Sequence, residues 1–265
     1  MKQLNPKPII KIHVPDNGNI FLKKIIKNIN SNEELLTLWK VININAVDRL
    51  GMSDHGPVHS QIVTNISVKL VRMLVSNKVK MSVTKNYNLS SNYAELIVFL
   101  AGALHDLGMT ISRKDHESYS LFLANNLLHQ IIDFLPVAEK TIVISETLHA
   151  IISHRSDGKP LTLEAGVVRV ADALDMSKGR SRIAYESGKI DIYSVSAAAI
   201  EKVDIEEGKE KPIQLNILMN NSAGIFQLDE LLKKKIIGSG IETYIDVHAY
   251  INQKTEKRLL KEYRI

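Results

Sequence analysis

The chain has 265 residues, 45% of them hydrophobic and 24% charged, and a formal net charge of +5. That length is enough to bury a sizeable core in one large unit, or in a main unit with an appendage, and the composition argues against extended disorder. No cysteine is present, which excludes disulfide scaffolds, thiolate zinc sites and cysteine nucleophiles and leaves imidazole and carboxylate to hold any metal.

No stretch approaches the ~20 apolar residues that cross a bilayer. Residues 1–11 lack the apolar run and the small-residue cleavage site of a signal peptide, so the expected location is the cytoplasm, with no membrane partner. The basic excess suits an anionic substrate or a nucleic acid. Most of the Lys and Arg are nevertheless scattered along the chain, as on a solvated surface.

In chain order, residues 8–14 read as a short strand ending at Pro15, followed by Asp-Asn-Gly turn chemistry. Helical spacing runs from Phe21 to Leu50, where Leu35, Leu38, Trp39 and Ile42 form a core stripe. A helix opens at Pro57, a residue favoured in the first helical position because its missing N–H costs nothing there. Residues 76–91 are polar and irregular. The next helix starts at Asn92, with Glu95 placed for a capping box, and stops at Gly108. Further helices follow Asp115 as N-cap, cover about 137–153, and carry Leu163, Val167, Val170, Ala171 and Leu174 on one face after a turn at 156–160.

Beyond about residue 184 the composition changes. Two runs of strand character, Val203 to Ile205 and Ile213 to Met219, precede a helix from about Ala223 to Ile237 and a last strand from Thr243 to Ile251. The expected fold class is therefore mainly α: a helical bundle over residues 1–184, then a small α+β unit over 185–265. The segment 219–227 places small and amide residues at a helix start, which is read first as a capped helix and otherwise as an anion or subunit contact.

Chemistry is expected where polar groups are pressed into apolar surroundings. His105 and Asp106 end an apolar run, Asp172 interrupts Val-Val-Arg-Val-Ala-Asp-Ala-Leu, and His59 lies one position from the stripe of its helix. An ionised Asp so placed is costly unless it is paired or bound to a cation. Imidazole beside two carboxylates completes a nitrogen–oxygen site of the kind divalent metals accept.

The order His, His-Asp, Asp along successive helices resembles the HD superfamily of metal-dependent phosphohydrolases. The matching stretches are Asp-His-Gly-Pro-Val-His-Ser-Gln-Ile-Val (54–63), Leu-Ala-Gly-Ala-Leu-His-Asp-Leu-Gly (100–108), His-Glu-Ser-Tyr-Ser (116–120), Ala-Ile-Ile-Ser-His-Arg-Ser-Asp-Gly (150–158) and Val-Ala-Asp-Ala-Leu-Asp-Met (170–176). The whole chain with its tail also looks like a group of archaeal and bacterial HD proteins. The resemblance implies metal ligation by His59, His105, Asp106 and Asp172, with Asp106 bridging where two ions bind and His116 and His154 serving the second ion. Two ions are expected, manganese or iron before zinc, nickel, cobalt or magnesium. Such ions lower the pKa of bound water towards ~7 and so supply hydroxide at neutral pH.

His116 and His55 are candidates to protonate the leaving oxygen; His55 stands equally as a further ligand or a helix-entry residue. His149 lies five residues before His154, about 140° around a helix, and is read as structural. Lys178, Arg180 and Arg182 follow Asp172 closely and are candidate phosphate donors, with Arg155 and Lys159 of second rank. Asp157-Gly158-Lys159-Pro160 stands where the cyclic-dinucleotide branch of the superfamily carries Gly-Tyr-Pro, so cyclic di-GMP hydrolysis is not expected. The expected function is hydrolysis of a phosphate ester, monoester or diester, in a small molecule such as a nucleotide, by a protein that could assemble as a homo-oligomer. The alternatives are a nucleic-acid-binding module with a structural metal, recognised by salt-sensitive binding without turnover, and a di-iron oxygenase, recognised by dioxygen consumption.

Overall fold

The computed structural model describes residues 10–155, 157–176 and 192–251. Its first part is a helical bundle: α1 (Ile20–Ser31), α2 (Glu33–Asn43, running on as a wide π turn through Ile44–Arg49), α3 (Pro57–Ser76), α4 (Ser82–Tyr87), α5 (Ser91–Leu104), α6 (His116–Ile131), α7 (Val137–Ser153) and α8 (Leu163–Leu174). Helix α5 is the axis of the bundle. Eleven of its fourteen residues are buried, so it has no solvated face, and α1, α3, α4, α6, α7 and α8 all pack on it. Gly102 permits the close approach of α3, since a Cβ there would stand 3.2 Å from the backbone of Thr64. Trp39 is core, as its stripe predicts, and its indole N–H donates to the Ala103 carbonyl at 3.3 Å.

The C-terminal part comprises α9 (Ile192–Ala199), β1 (Ile200–Glu207), β2 (Ile213–Met219), a helical run α10 built from Gly224–Gln227, Leu228–Lys233 and Lys234–Ile236, and β3 (Ile245–Ile251). Strand β2 is central, antiparallel to β1 and parallel to β3. A parallel pair needs a crossover, and α10 supplies it. Ile213, Leu215, Ile217 and Met219, alternate residues of β2, are buried in the same hydrophobic cluster as the bundle. The β-β-α-β order expected from the sequence is present, on a mainly helical protein. Among the described residues no helix is long and apolar enough to cross a membrane.

The structure corrects several local expectations. Residues 10–14 are not a strand. Ile12 and Val14 are buried, but the backbone of Ile12 is paired with the Asn30 side chain and that of His13 with Gln61. Side chains of α1 and α3 thus take the place of a neighbouring strand. The helical stretch from Phe21 to Leu50 breaks at Asn32, whose side chain accepts from Leu35 N and caps α2. Residues 76–91 contain the short helix α4. No capping box forms at Asn92: α5 begins one residue earlier, and Glu95 instead takes a bidentate pair from Arg72 at 2.9 and 3.0 Å. Finally, α5 ends at Leu104 rather than Gly108, and a 3-10 turn (Leu107–Thr110) follows His105 and Asp106.

Candidate metal centre

Five helices converge on one buried spot. His59 sits in the first turn of α3, where Gly56 and Pro57 open the helix and the Asp54 carboxylate accepts from the N–H groups of Gly56 and His59. His105 and Asp106 occupy the sharp exit from α5. His116 begins α6, His154 terminates α7, and Asp172 lies in the last turn of α8.

The exit from α5 is held against α6 by a backbone contact that only glycine permits. A Cβ on Gly108 would lie 1.9 Å from the His116 carbonyl oxygen. The Gly108 N–H donates to the Ser120 hydroxyl at 2.8 Å, and that hydroxyl faces the carbonyls of His105 and His116 at 2.6 and 2.9 Å. Asp106 and His116 are thereby set face to face, with Oδ1 3.1 Å from Nε2.

The inner nitrogens of three histidines have a fixed tautomer. His105 Nδ1 lies 2.9 Å from the Gly102 carbonyl and His154 Nδ1 2.6 Å from that of Ile151, while His59 Nδ1 lies 2.6 Å from the Asp175 carboxylate. Each Nδ1 must carry the proton it donates, which leaves each Nε2 with a bare lone pair in the neutral ring. Yet His59 Nε2 and His105 Nε2 stand 3.0 Å apart. Two such lone pairs repel unless a proton or a metal cation lies between them.

Carboxylate oxygens complete the same spot. Asp106 Oδ2 is 3.5 Å from His59 Nε2 and 3.4 Å from His105 Nε2; Asp172 Oδ1 is 3.2 and 3.8 Å from the same two atoms. Among the described residues, Asp106 Oδ2 is buried without a hydrogen-bond partner. Ligand atoms about 2.0–2.2 Å from one divalent ion stand about 3.0–3.5 Å from each other, which is close to the observed spacing. Three overlapping groups could each hold an ion: His59, His105 and Asp172; His105, Asp106 and His154; His116, Glu117 and His154. The residues fit a divalent metal.

The electrostatics agree. Burial pushes His105 below the ordinary imidazole pKa, and burial with the neighbouring His105 pushes His154 well below it, so both rings are neutral at pH 7. Burial also opposes charge on His116, but the bond to Asp106 outweighs it and the pKa rises. Burial works against ionisation of Asp106 and Asp172 too. His105 and His116 overcome it at Asp106, and Lys235 with His59 at Asp172, so both carboxyls lie well below their usual range.

A family model described as HD domain matches residues 59–177, the stretch that carries all six of these residues. The chain is also 41% identical over 244 residues to the uncharacterized protein MJ1020 of Methanocaldococcus jannaschii, covering 92% of this chain and 93% of that one. The chain belongs to the HD family. No solved structure matches it.

Within this HD protein the expected ligands His59, His105, Asp106, Asp172, His116 and His154 come together in one cluster. His55 is at the rim, its ring 5.6 Å from that of His59 and its Nδ1 2.8 Å from the Ser53 carbonyl. Arg155 is only partly exposed and is paired with Asp157 and Asp115. Lys178, Arg180 and Arg182 lie outside the described residues, as does the expected boundary at 184. His149 braces a turn, accepting from Leu161 N at 2.9 Å.

Sequence reasoning missed three residues. Asp175 orients His59 and stands three residues after Asp172, a spacing that puts both on one helical face. Glu117 neighbours His116 in the chain. Lys235 reaches Asp172 from α10, and no local pattern announces it.

Proposed function

We propose that this HD protein hydrolyses a phosphate ester of a small molecule, with two divalent ions held side by side. The observation that carries the reading is the buried, unpartnered Asp106 Oδ2 facing two Nε2 atoms that already face each other at 3.0 Å. His59, His105, Asp106 and Asp172 would hold the first ion, and His116 and His154 the second. Asp106 suits a bridging role, because Oδ2 faces the first set and Oδ1 faces His116. Bound there, divalent ions supply the Lewis acidity that activates water and offsets charge on a phosphoryl group.

The remaining work falls to the chain. The bond from His59 Nδ1 to Asp175 fixes the ring and raises the basicity of its ligand nitrogen. The Gly102 and Ile151 carbonyls do the same for His105 and His154. The apolar shell of α5 and α8 around these groups lowers the local dielectric, which strengthens each charge interaction. With His116 committed to the second ion, His55 at the rim is the candidate to hold the proton for the leaving oxygen.

The test is elemental analysis of protein purified without added metal, followed by a panel of phosphomonoesters and phosphodiesters assayed beside Asp106→Ala. Metal in the wild type, and turnover that disappears with the metal in the variant, is the expected result. Turnover that survives in the variant at full metal content would overturn the reading.

A further inference from the structure

The C-terminal unit sends one cationic side chain into the metal centre. Lys235, near the end of α10, places its ammonium on Asp172 Oδ2 across 63 residues of chain. Both side chains are largely enclosed, at 13% and 18% exposure.

Its position is set by α8 through backbone contacts. Arg169, three residues before Asp172, donates to the carbonyls of Lys234 at 2.9 Å and Lys235 at 3.1 Å, and also to that of Gly158. Gly166 on the same helix lets the Ser239 carbonyl come so near that a Cβ would lie 1.9 Å from it. Helix α8 thus grips the backbone at the end of α10 and leaves the Lys235 side chain free to serve another purpose.

That purpose is not neutralisation of Asp172 alone. A divalent ion on Asp172 Oδ1 would already balance the carboxylate, and an ammonium on Oδ2 would then face a like charge. An anion touching both cations relieves that repulsion. An ammonium also carries three donors, and among the described residues the hydrogen bonds and ion pairs of the Lys235 ammonium reach Asp172 alone.

We propose that Lys235 donates to a phosphoryl oxygen of the substrate, so that the C-terminal unit completes a phosphate site begun by the bundle. This rests on the reading of the centre as a phosphohydrolase site. Its test does not require turnover. Inorganic phosphate is titrated calorimetrically into the metal-loaded full-length protein, its Lys235→Met variant and its Lys235→Arg variant, with metal per chain and the helical circular-dichroism signal measured for each. The variants keep the backbone carbonyl that Arg169 holds, so folding should persist. Loss of a charge-assisted hydrogen bond weakens phosphate binding about 10- to 100-fold in Lys235→Met, with metal content unchanged and with most of the affinity restored in Lys235→Arg. Unchanged phosphate affinity in Lys235→Met overturns the proposal. Loss of metal from that variant overturns it as well, by making Lys235 a positioning residue for Asp172. If the wild type binds phosphate through Lys235 but cleaves no ester, the proposed hydrolysis falls and the phosphate site stands. If esters are cleaved and Lys235→Met keeps wild-type KM and phosphate affinity, the phosphate site falls alone.

Discussion

Replacement of Asp175 tests the reasoning about His59 without touching a proposed ligand. Asp175 caps the end of α8, is buried, and meets His59 Nδ1 at 2.6 Å. Asp175→Ala removes the acceptor of a buried N–H, which costs about 1–3 kcal/mol of stability. It also frees the imidazole to rotate or change tautomer. Loss of such an outer partner lowers metal affinity about 10- to 100-fold, equivalent to about 1.4–2.7 kcal/mol. Asp175→Asn, which keeps an acceptor but loses the charge, should fall between the wild type and alanine. The assay is a competition titration against a chelator of known affinity, with thermal unfolding of the metal-free proteins run alongside. A folded Asp175→Ala protein that binds metal within about twofold of wild type would refute the argument that this carboxylate holds His59 in its ligand tautomer.

Three further outcomes are expected. Asp106→Ala should lose bound metal and turnover while its helical circular-dichroism signal persists, because the residue sits in a turn after α5 and not within the helix. Gly108→Ala should destabilise the protein by about 1–3 kcal/mol, as overpacking does, because its Cβ would overlap the His116 carbonyl; thermal unfolding checks this, and an unchanged midpoint would show that the two backbones can separate freely. Metal-free protein should lose stability as the pH falls below about 6.5, for the following reason. His105 and His154 have lowered folded pKa values, so below that pH the unfolded chain takes up protons that the folded one refuses. His116, whose folded pKa is raised, opposes this with stability that is complete below about 6.5 and lost above it. His154→Gln should flatten the acid limb of the curve, read as midpoint against pH in the presence of a chelator.

The bundle was legible where one face of a helix had to be apolar. Pro57 opens α3, and the unbroken apolar run before His105 marks the most enclosed helix among the described residues. That Asp106 and Asp172 gather with histidines was legible too, because charged groups inside such runs need a partner. Asn32 left a signal that a reading by hydrophobic stripe passes over: an amide followed by Glu33 and Glu34, an N-cap with acids in the first turn. The failed strand at residues 10–14 shows the converse. Alternating burial of Ile12 and Val14 is real, but what satisfies the backbone there is decided by distant Asn and Gln side chains. Lys235 was illegible for the same reason, since its contact with Asp172 exists only once α10 has docked on α8.

The touching backbones at Gly108 and His116 act as a fixed gauge for the pair of groups they carry. Helix α6 cannot come closer to the α5 exit, so the gap between Asp106 and His116 has a floor set by main-chain atoms rather than by side-chain choice. A small ion held there would then have to be met by rotation of the carboxylate and the ring, since the two helices cannot close on it. Any fit to a small ion at that position would be a question of side-chain reach, and a change of size at a peripheral residue of α6 should leave it untouched.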